Sequence, residues 1–155
     1  IANYPFTTLY PNLGVINFDN YSELVLADIP GIIKNASKGE GLGIKFLGHI
    51  EKCAVLLHFI DLSSKKTEEN YHTIKNELNS YGKDLNKKKE IIVLTKKDLC
   101  SENFTKKEII KIKQITGKEV YSISVKDKQS ILELKKLIYS FKNNLNKDAK
   151  KKWVP

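Results

Sequence analysis

At 155 residues and 41% hydrophobic composition, the chain has enough apolar material for one domain with a single core and too little for two ordinary ones. No stretch nears the roughly eighteen uninterrupted apolar residues of a membrane span, the start IANYPFTTLY lacks the layout of a signal peptide, and Cys53 and Cys100 form no CxxC or Cys/His cluster, so a soluble intracellular protein with reduced thiols is expected. The net charge of +9 invites a polyanion-binding reading, but all 27 basic residues are lysine and arginine is the bidentate phosphate reader, so the charge supports an RNA-rich partner only weakly.

In chain order, residues 13–18 and 23–27 are short apolar runs separated by Asp19-Asn20, a turn signal, and are predicted to form an antiparallel pair. Residues 29–42 hold Pro30, Gly31, Gly39 and Gly41, too much turn chemistry for a regular element; the stretch GIKFLGHIEKC then takes on helical character. Residues 54–60, AVLLHFI, are continuously apolar and end in Asp61, the mark of a strand buried on both faces. Tyr71, Ile74, Leu78 and Tyr81 recur at helical spacing, and after the lysines at 87–89 a second buried-type strand covers 91–94. Thr105 followed by Glu108 has the spacing of a capping box and predicts a helix start there. A last strand is expected at 119–123, and a final helix at about 130–141 with Ile131, Leu134, Ile138 and Phe141 on one stripe and Leu137 beside it. Residues 143–155 read as a basic, frayed tail behind a domain covering 1–142. Strands alternating with helices imply an α/β fold with a mostly parallel sheet and helices on both sides.

In such sheets ligands bind beyond the carboxyl ends of the strands, and the residues there are informative. The second strand runs into Asp28-Ile29-Pro30-Gly31. An aspartate there can hold magnesium through its water shell, and the glycine lets backbone approach a terminal phosphate; as a lone DxxG the same residues also fit an ordinary turn. Strand 91–94 runs into Thr95-Lys96-Lys97-Asp98, the NKxD or TKxD pattern with which GTPases read guanine. A carboxylate accepts from both the N1–H and the exocyclic amine of guanine, a pair that adenine does not offer. Asp98 is therefore the specificity residue, with helix N-cap as its ordinary alternative, and Lys96 is expected to lie along the base or the phosphate-holding loop. Thr95 replaces the commoner asparagine, so fewer supporting hydrogen bonds are expected. The last strand runs into Ser124-Val125-Lys126, similar to the SAK element whose main chain contacts the base. Near the start, Phe6-Thr7-Thr8 offers a threonine for magnesium and a terminal phosphate. His49, His58 and His72 match no metal spacing, and Trp153 stands alone among lysines.

These elements lie in GTPase order, three of them at successive strand ends. The wording IANYPFTTLYPNLG and LADIPGIIKNASKGEGLGIKFLGHIEKCAVLLHFID, continued by TKKD and SISVK, closely resembles the Obg family of ribosome-associated GTPases. The resemblance implies the P-loop GTPase fold. It implies a switch I formed by Phe6, Thr7, Thr8, Leu9 and Tyr10, with Thr8 as magnesium ligand. Asp28, Ile29, Pro30 and Gly31 would open switch II, with Asp28 reaching magnesium through water. Thr95, Lys96, Lys97, Asp98, Ser124, Val125 and Lys126 would bind the base. It further implies GTP or GDP and Mg2+ as ligands, slow GTP hydrolysis, the large ribosomal subunit or its RNA as partner, a monomer, and a cytoplasmic site or an organelle of bacterial origin.

Two features depart from the general GTPase pattern. Ile32 follows DIPG where many GTPases place a water-orienting glutamine, in line with the family's apolar habit there, so no catalytic base is assigned. The sequence also holds no GxxxxGK followed by Ser or Thr, the loop whose amides and lysine cradle phosphates. Together with the absence of methionine, this reads as a piece of something longer. In the family that loop follows a first, central strand upstream of IANYPFTT, between the strands here ending at Ala27 and Ile60. A gap or collapsed sheet, weak GTP binding and no activity by this stretch alone are the expectations. The alternative from another class is a non-catalytic basic fragment that contacts RNA or the ribosome without nucleotide chemistry.

Overall fold

The structure, a computed structural model, describes residues 12–18, 22–29 and 43–151. It opens with a hairpin, β1 (Asn12–Asn17) and β2 (Glu23–Asp28), paired antiparallel so that Val15 faces Val25 and Leu13 faces Ala27. The expected antiparallel pair forms, with Ile16, Leu24 and Leu26 partly covered while Leu13, Val15 and Val25 lie on the open face. Helix α1 (Gly43–Lys52) leads into β3 (Val55–Asp61). Then come α2 (Thr67–Tyr81), β4 (Lys89–Thr95), α3 (Glu102–Thr116), β5 (Val120–Ser122) and α4 (Lys128–Lys151). The last helix continues past Phe141 to Lys151 instead of fraying there.

Strands β3, β4 and β5 form a parallel sheet in that order, with Asp61 opposite Thr95 and Leu94 opposite Ser122. The register brings the ends of the three strands to one edge. β4 is central, which explains its unbroken apolar run: Ile92 and Leu94 pack on Tyr71 of α2 and Ile112 of α3, while Ile91 and Val93 share the other face with Leu134, Leu137 and Phe141 of α4. None of these four β4 side chains is more than 2% exposed, and each contributes about 1.5–3 kcal/mol by leaving water. Among the described residues no helix is long and apolar enough to cross a membrane.

The expected capping box is corrected. Helix α3 starts one turn earlier, with Ser101 as N-cap in extended backbone, its hydroxyl accepting from Phe104 N at 3.3 Å. Thr105 lies inside the helix, where its hydroxyl donates to Ser101 O at 3.0 Å. Glu108 does not turn back to the helix start. Its carboxylate accepts from the hydroxyl of Thr67, at the start of α2, and both side chains are buried. A long-range partner outcompeted the local one because a buried carboxylate must be satisfied wherever it lies.

The hairpin and the parallel sheet do not join. The outer edges of β2 and β3 are unpaired among the described residues, and a cavity of about 1030 Å3 opens onto Leu24, Leu26, Leu56, His58, Ile50 and Ile138. This is the gap expected between strands ending near Ala27 and Ile60. The expectation that β3 is buried on both faces is corrected: Phe59 is 51% exposed, because β3 is an edge strand whose only paired neighbour among the described residues is β4. Unpaired edges flanking apolar walls leave N–H and C=O groups open to pairing with another strand. The hairpin is held by α4: Phe18 packs on Tyr139 at 4.8 Å between ring centres, and Lys142 Nζ donates to Glu23 O at 2.7 Å.

Candidate functional site

The carboxyl edge of the parallel sheet gathers the second half of the expected site. After β4 the chain turns sharply, with Lys96 in the left-handed region at φ 59°, and residues Lys97–Leu99 form a single 3-10 turn. Asp98 sits in that turn, whereas α3 is capped by Ser101. The helix N-cap alternative for Asp98 therefore falls away. After β5, Ile123 N donates to Leu94 O at 2.9 Å, extending the ladder and carrying the next loop alongside the first.

Side chains then join the two loops. The buried Ser124 hydroxyl donates to Asp98 Oδ1 at 2.6 Å, and Lys126 Nζ lies 3.1 Å from Asp98 Oδ2. These two hydrogen bonds hold the Asp98 carboxyl below the usual carboxylate range, so it stays an ionised, acceptor-only group. Val125 is 87% exposed. Thr95 closes the strand end by donating its hydroxyl to Ile60 O at 3.3 Å. One hydrogen bond to a neighbouring strand is what the threonine supplies in place of an amide side chain.

Three participants had no motif to announce them. Asp61, at the end of β3, accepts from Lys96 Nζ at 2.7 Å and from the amide and hydroxyl of Ser63 at 2.9 and 2.6 Å. The Lys96 and Ser63 bonds keep its carboxyl below the usual range. Lys96 thus rests on an acidic strand end in this structure. Asp127 pairs with Lys97 at 2.7 Å, which holds its carboxyl low as well. Ser130, 4% exposed, uses one hydroxyl to accept from Ser124 N at 3.2 Å and to donate to Asp127 O at 2.8 Å. The only sequence signal for Asp61 was its place at the end of an apolar strand. Asp127 and Ser130 carried the weak signal of a helix start three residues apart.

The first half of the site is not brought to the same cluster. Asp28 ends β2 in the other sheet, exposed, and no described hydrogen bond or ion pair ties it to the Asp98 loops. Ile29 packs against the cluster of Leu47, Ile50, Leu78 and Leu85. The expected switch I residues Phe6, Thr7, Thr8, Leu9 and Tyr10, with Pro30, Gly31 and Ile32, lie outside the described residues. Among the described residues no group of three or more metal-ligating side chains exists.

Comparison with known proteins gives three concordant findings. A family model described as 50S ribosome-binding GTPase matches residues 1–96. The chain is 48% identical over 141 residues to GTPase Obg of Pelagibacter ubique, covering 91% of this chain and 43% of that protein. It is 47% identical to GTPase Obg of Rickettsia bellii and 42% identical to that of Orientia tsutsugamushi, covering 88% and 95% of this chain and 42% and 44% of those proteins. The chain thus spans less than half the length of these relatives. Among solved structures, Era of Aquifex aeolicus bound to GDP and aluminium fluoride superposes with a TM-score of 0.65 at 23% identity, over 91% of this chain and 46% of that one. Era in complex with MgGDPNP and a segment of 16S ribosomal RNA gives the same score and identity. At that identity the likeness shows the fold alone, that of a P-loop NTPase.

Proposed function

The chain belongs to the 50S ribosome-binding GTPase family, within its Obg group, and from that premise we propose that it is the base-reading part of a switch protein that binds GTP, hydrolyses it slowly and acts in assembly of the large ribosomal subunit. The observation that carries the guanine reading is the Asp98 carboxylate, fixed at the sheet edge by Ser124 and Lys126. Guanine presents two adjacent donors, N1–H and the exocyclic amine, and an ionised carboxylate held in one orientation accepts both. Adenine presents an acceptor at N1 and is refused.

Magnesium belongs to the same reading. Asp28 would hold it through water, with Thr8 as a direct oxygen ligand, and it would offset charge on the phosphates when bound. The residues of this chain orient the base and close the loops around it. Phosphate cradling belongs to a glycine-rich loop that the 155 residues do not contain. Ile32, with no hydrogen-bonding atom in its side chain, leaves the attacking water to backbone, a monovalent cation or a partner. The site of action would be wherever large subunits are assembled, the cytoplasm or an organelle of bacterial origin.

The test is Asp98→Asn in the full-length protein. An amide turns one acceptor into a donor, so guanine loses a matched pair while xanthine, with a carbonyl in place of the amine, gains one. GDP affinity should fall by roughly 100-fold or more, at about 1.5–3 kcal/mol for each hydrogen bond to a charged group, and xanthosine diphosphate should bind better than to the wild type. An unchanged GDP affinity, with RNA binding retained, would support the basic non-nucleotide reading instead.

A further inference from the structure

We propose that Lys97 and Asp127 form a brace that positions the guanine-reading residues Asp98 and Ser124, and that this ion pair governs how long a guanine nucleotide stays bound; the proposal rests on the guanine reading above. Lys97 is the variable residue of the TKxD element, adjacent to Asp98 but with its own ammonium directed to Asp127 Oδ2 at 2.7 Å. Its amide donates to Ile123 O at 3.2 Å, so the residue is tied to the second loop by main chain and side chain together.

Asp127 connects three structural parts through one carboxylate and one amide. Its Oδ1 accepts from Gln129 N at 3.1 Å and Ser130 N at 3.3 Å, which caps the start of α4. Its Oδ2 takes the Lys97 ammonium, and its amide donates to Ser124 O at 3.0 Å. Ser124, the residue whose hydroxyl holds Asp98, is therefore fixed from behind by Asp127 and by Ser130. The loops leave different strands, β4 and β5, and only contacts across them can keep Asp98 at a constant distance from the Ser124 main chain. By contrast, the Lys126 side chain that also holds Asp98 Oδ2 is 74% exposed. The Lys97 and Asp127 side chains are only 30% and 40% exposed, and as positioning residues they pair with each other while the Asp98 carboxylate pairs with Ser124 and Lys126.

The experiment uses the full-length protein and two variants that keep local structure: Asp127→Asn, which still caps a helix as well as aspartate does, and Lys97→Met, which keeps the aliphatic stem. Release of fluorescent GDP, the GDP-to-IDP affinity ratio and thermal unfolding are measured for each and for the double variant. IDP lacks the exocyclic amine and so reports on Asp98 geometry. Each single variant should release GDP roughly three- to tenfold faster, the scale of a partly buried ion pair. The GDP-to-IDP ratio should fall, and the double variant should release no faster than the faster single. Release within twofold of wild type in both singles, effects that multiply in the double variant, or an unchanged ratio with only a lowered melting temperature would each overturn the brace. A wild-type protein that retains no GDP would bring down the guanine reading and the brace with it, an outcome read before any variant is compared.

Discussion

Among the described residues Glu90 gathers three basic partners, and its removal is the sharpest test of how the parallel sheet is held. The side chain is 1% exposed, yet it accepts from His58 Nδ1 at 2.8 Å, Lys118 Nζ at 2.6 Å and Lys75 Nζ at 3.3 Å. Burial pushes its pKa up, but the hydrogen bonds from His58 and Lys118 and the charges of His58 and Lys75 win, holding it at about 2 against an ordinary 4.5. At about 1.36 kcal/mol per pKa unit this amounts to roughly 3 kcal/mol of stability, within the range of about 3–5 kcal/mol for breaking a buried pair from one side. Because the folded pKa is depressed, that stability is present in full above about 4.5 and is lost as pH falls toward about 2. Glu90→Gln keeps the shape and removes the charge. Urea unfolding followed by circular dichroism should show the variant about 3 kcal/mol less stable at pH 7. The gap to wild type should shrink to under half by about pH 3, as the wild-type carboxylate takes up its proton. A difference under about 1 kcal/mol at pH 7, or one that does not change with pH, would refute the argument that this carboxylate joins β3, α2 and the turn after α3 as an anion.

Two further outcomes are expected. Ser101→Ala should cost about 1 kcal/mol in the same unfolding measurement, as the loss of an N-cap does, and a value near zero would mean that the Phe104 amide finds water instead. Ile32→Ala in the full-length protein should leave single-turnover GTP hydrolysis within a few-fold of wild type, since the isoleucine offers no group to orient water; a loss of two or more orders of magnitude would assign it a role.

Sequence alone determined the features that are written in local pattern. The unbroken apolar run before Thr95 announced a strand buried on both faces, the run before Asp61 announced a strand but not its exposed edge at Phe59, and the spacing of Tyr71, Ile74 and Leu78 announced α2, because side-chain period is set by the backbone geometry of each element. DIPG, TKKD and SVK stood out because chemistry at strand ends requires particular residue types in order, and the family followed from the longer wording around them, IANYPFTTLYPNLG and LADIPGIIKNASKGEGLGIKFLGHIEKCAVLLHFID. The tertiary structure decided the pairings. Glu108 has the spacing of a capping box and went to Thr67 instead; Lys96 rests on Asp61; Lys97 reaches Asp127; Glu90 collects a histidine and two lysines. Each joins residues that are distant in sequence, and a charged side chain chooses among all partners within reach after the chain has folded, so no spacing records the choice. The site has the same division: Asp98 was named by its motif, but the side chains that hold it in place were set by which loops the sheet brought side by side.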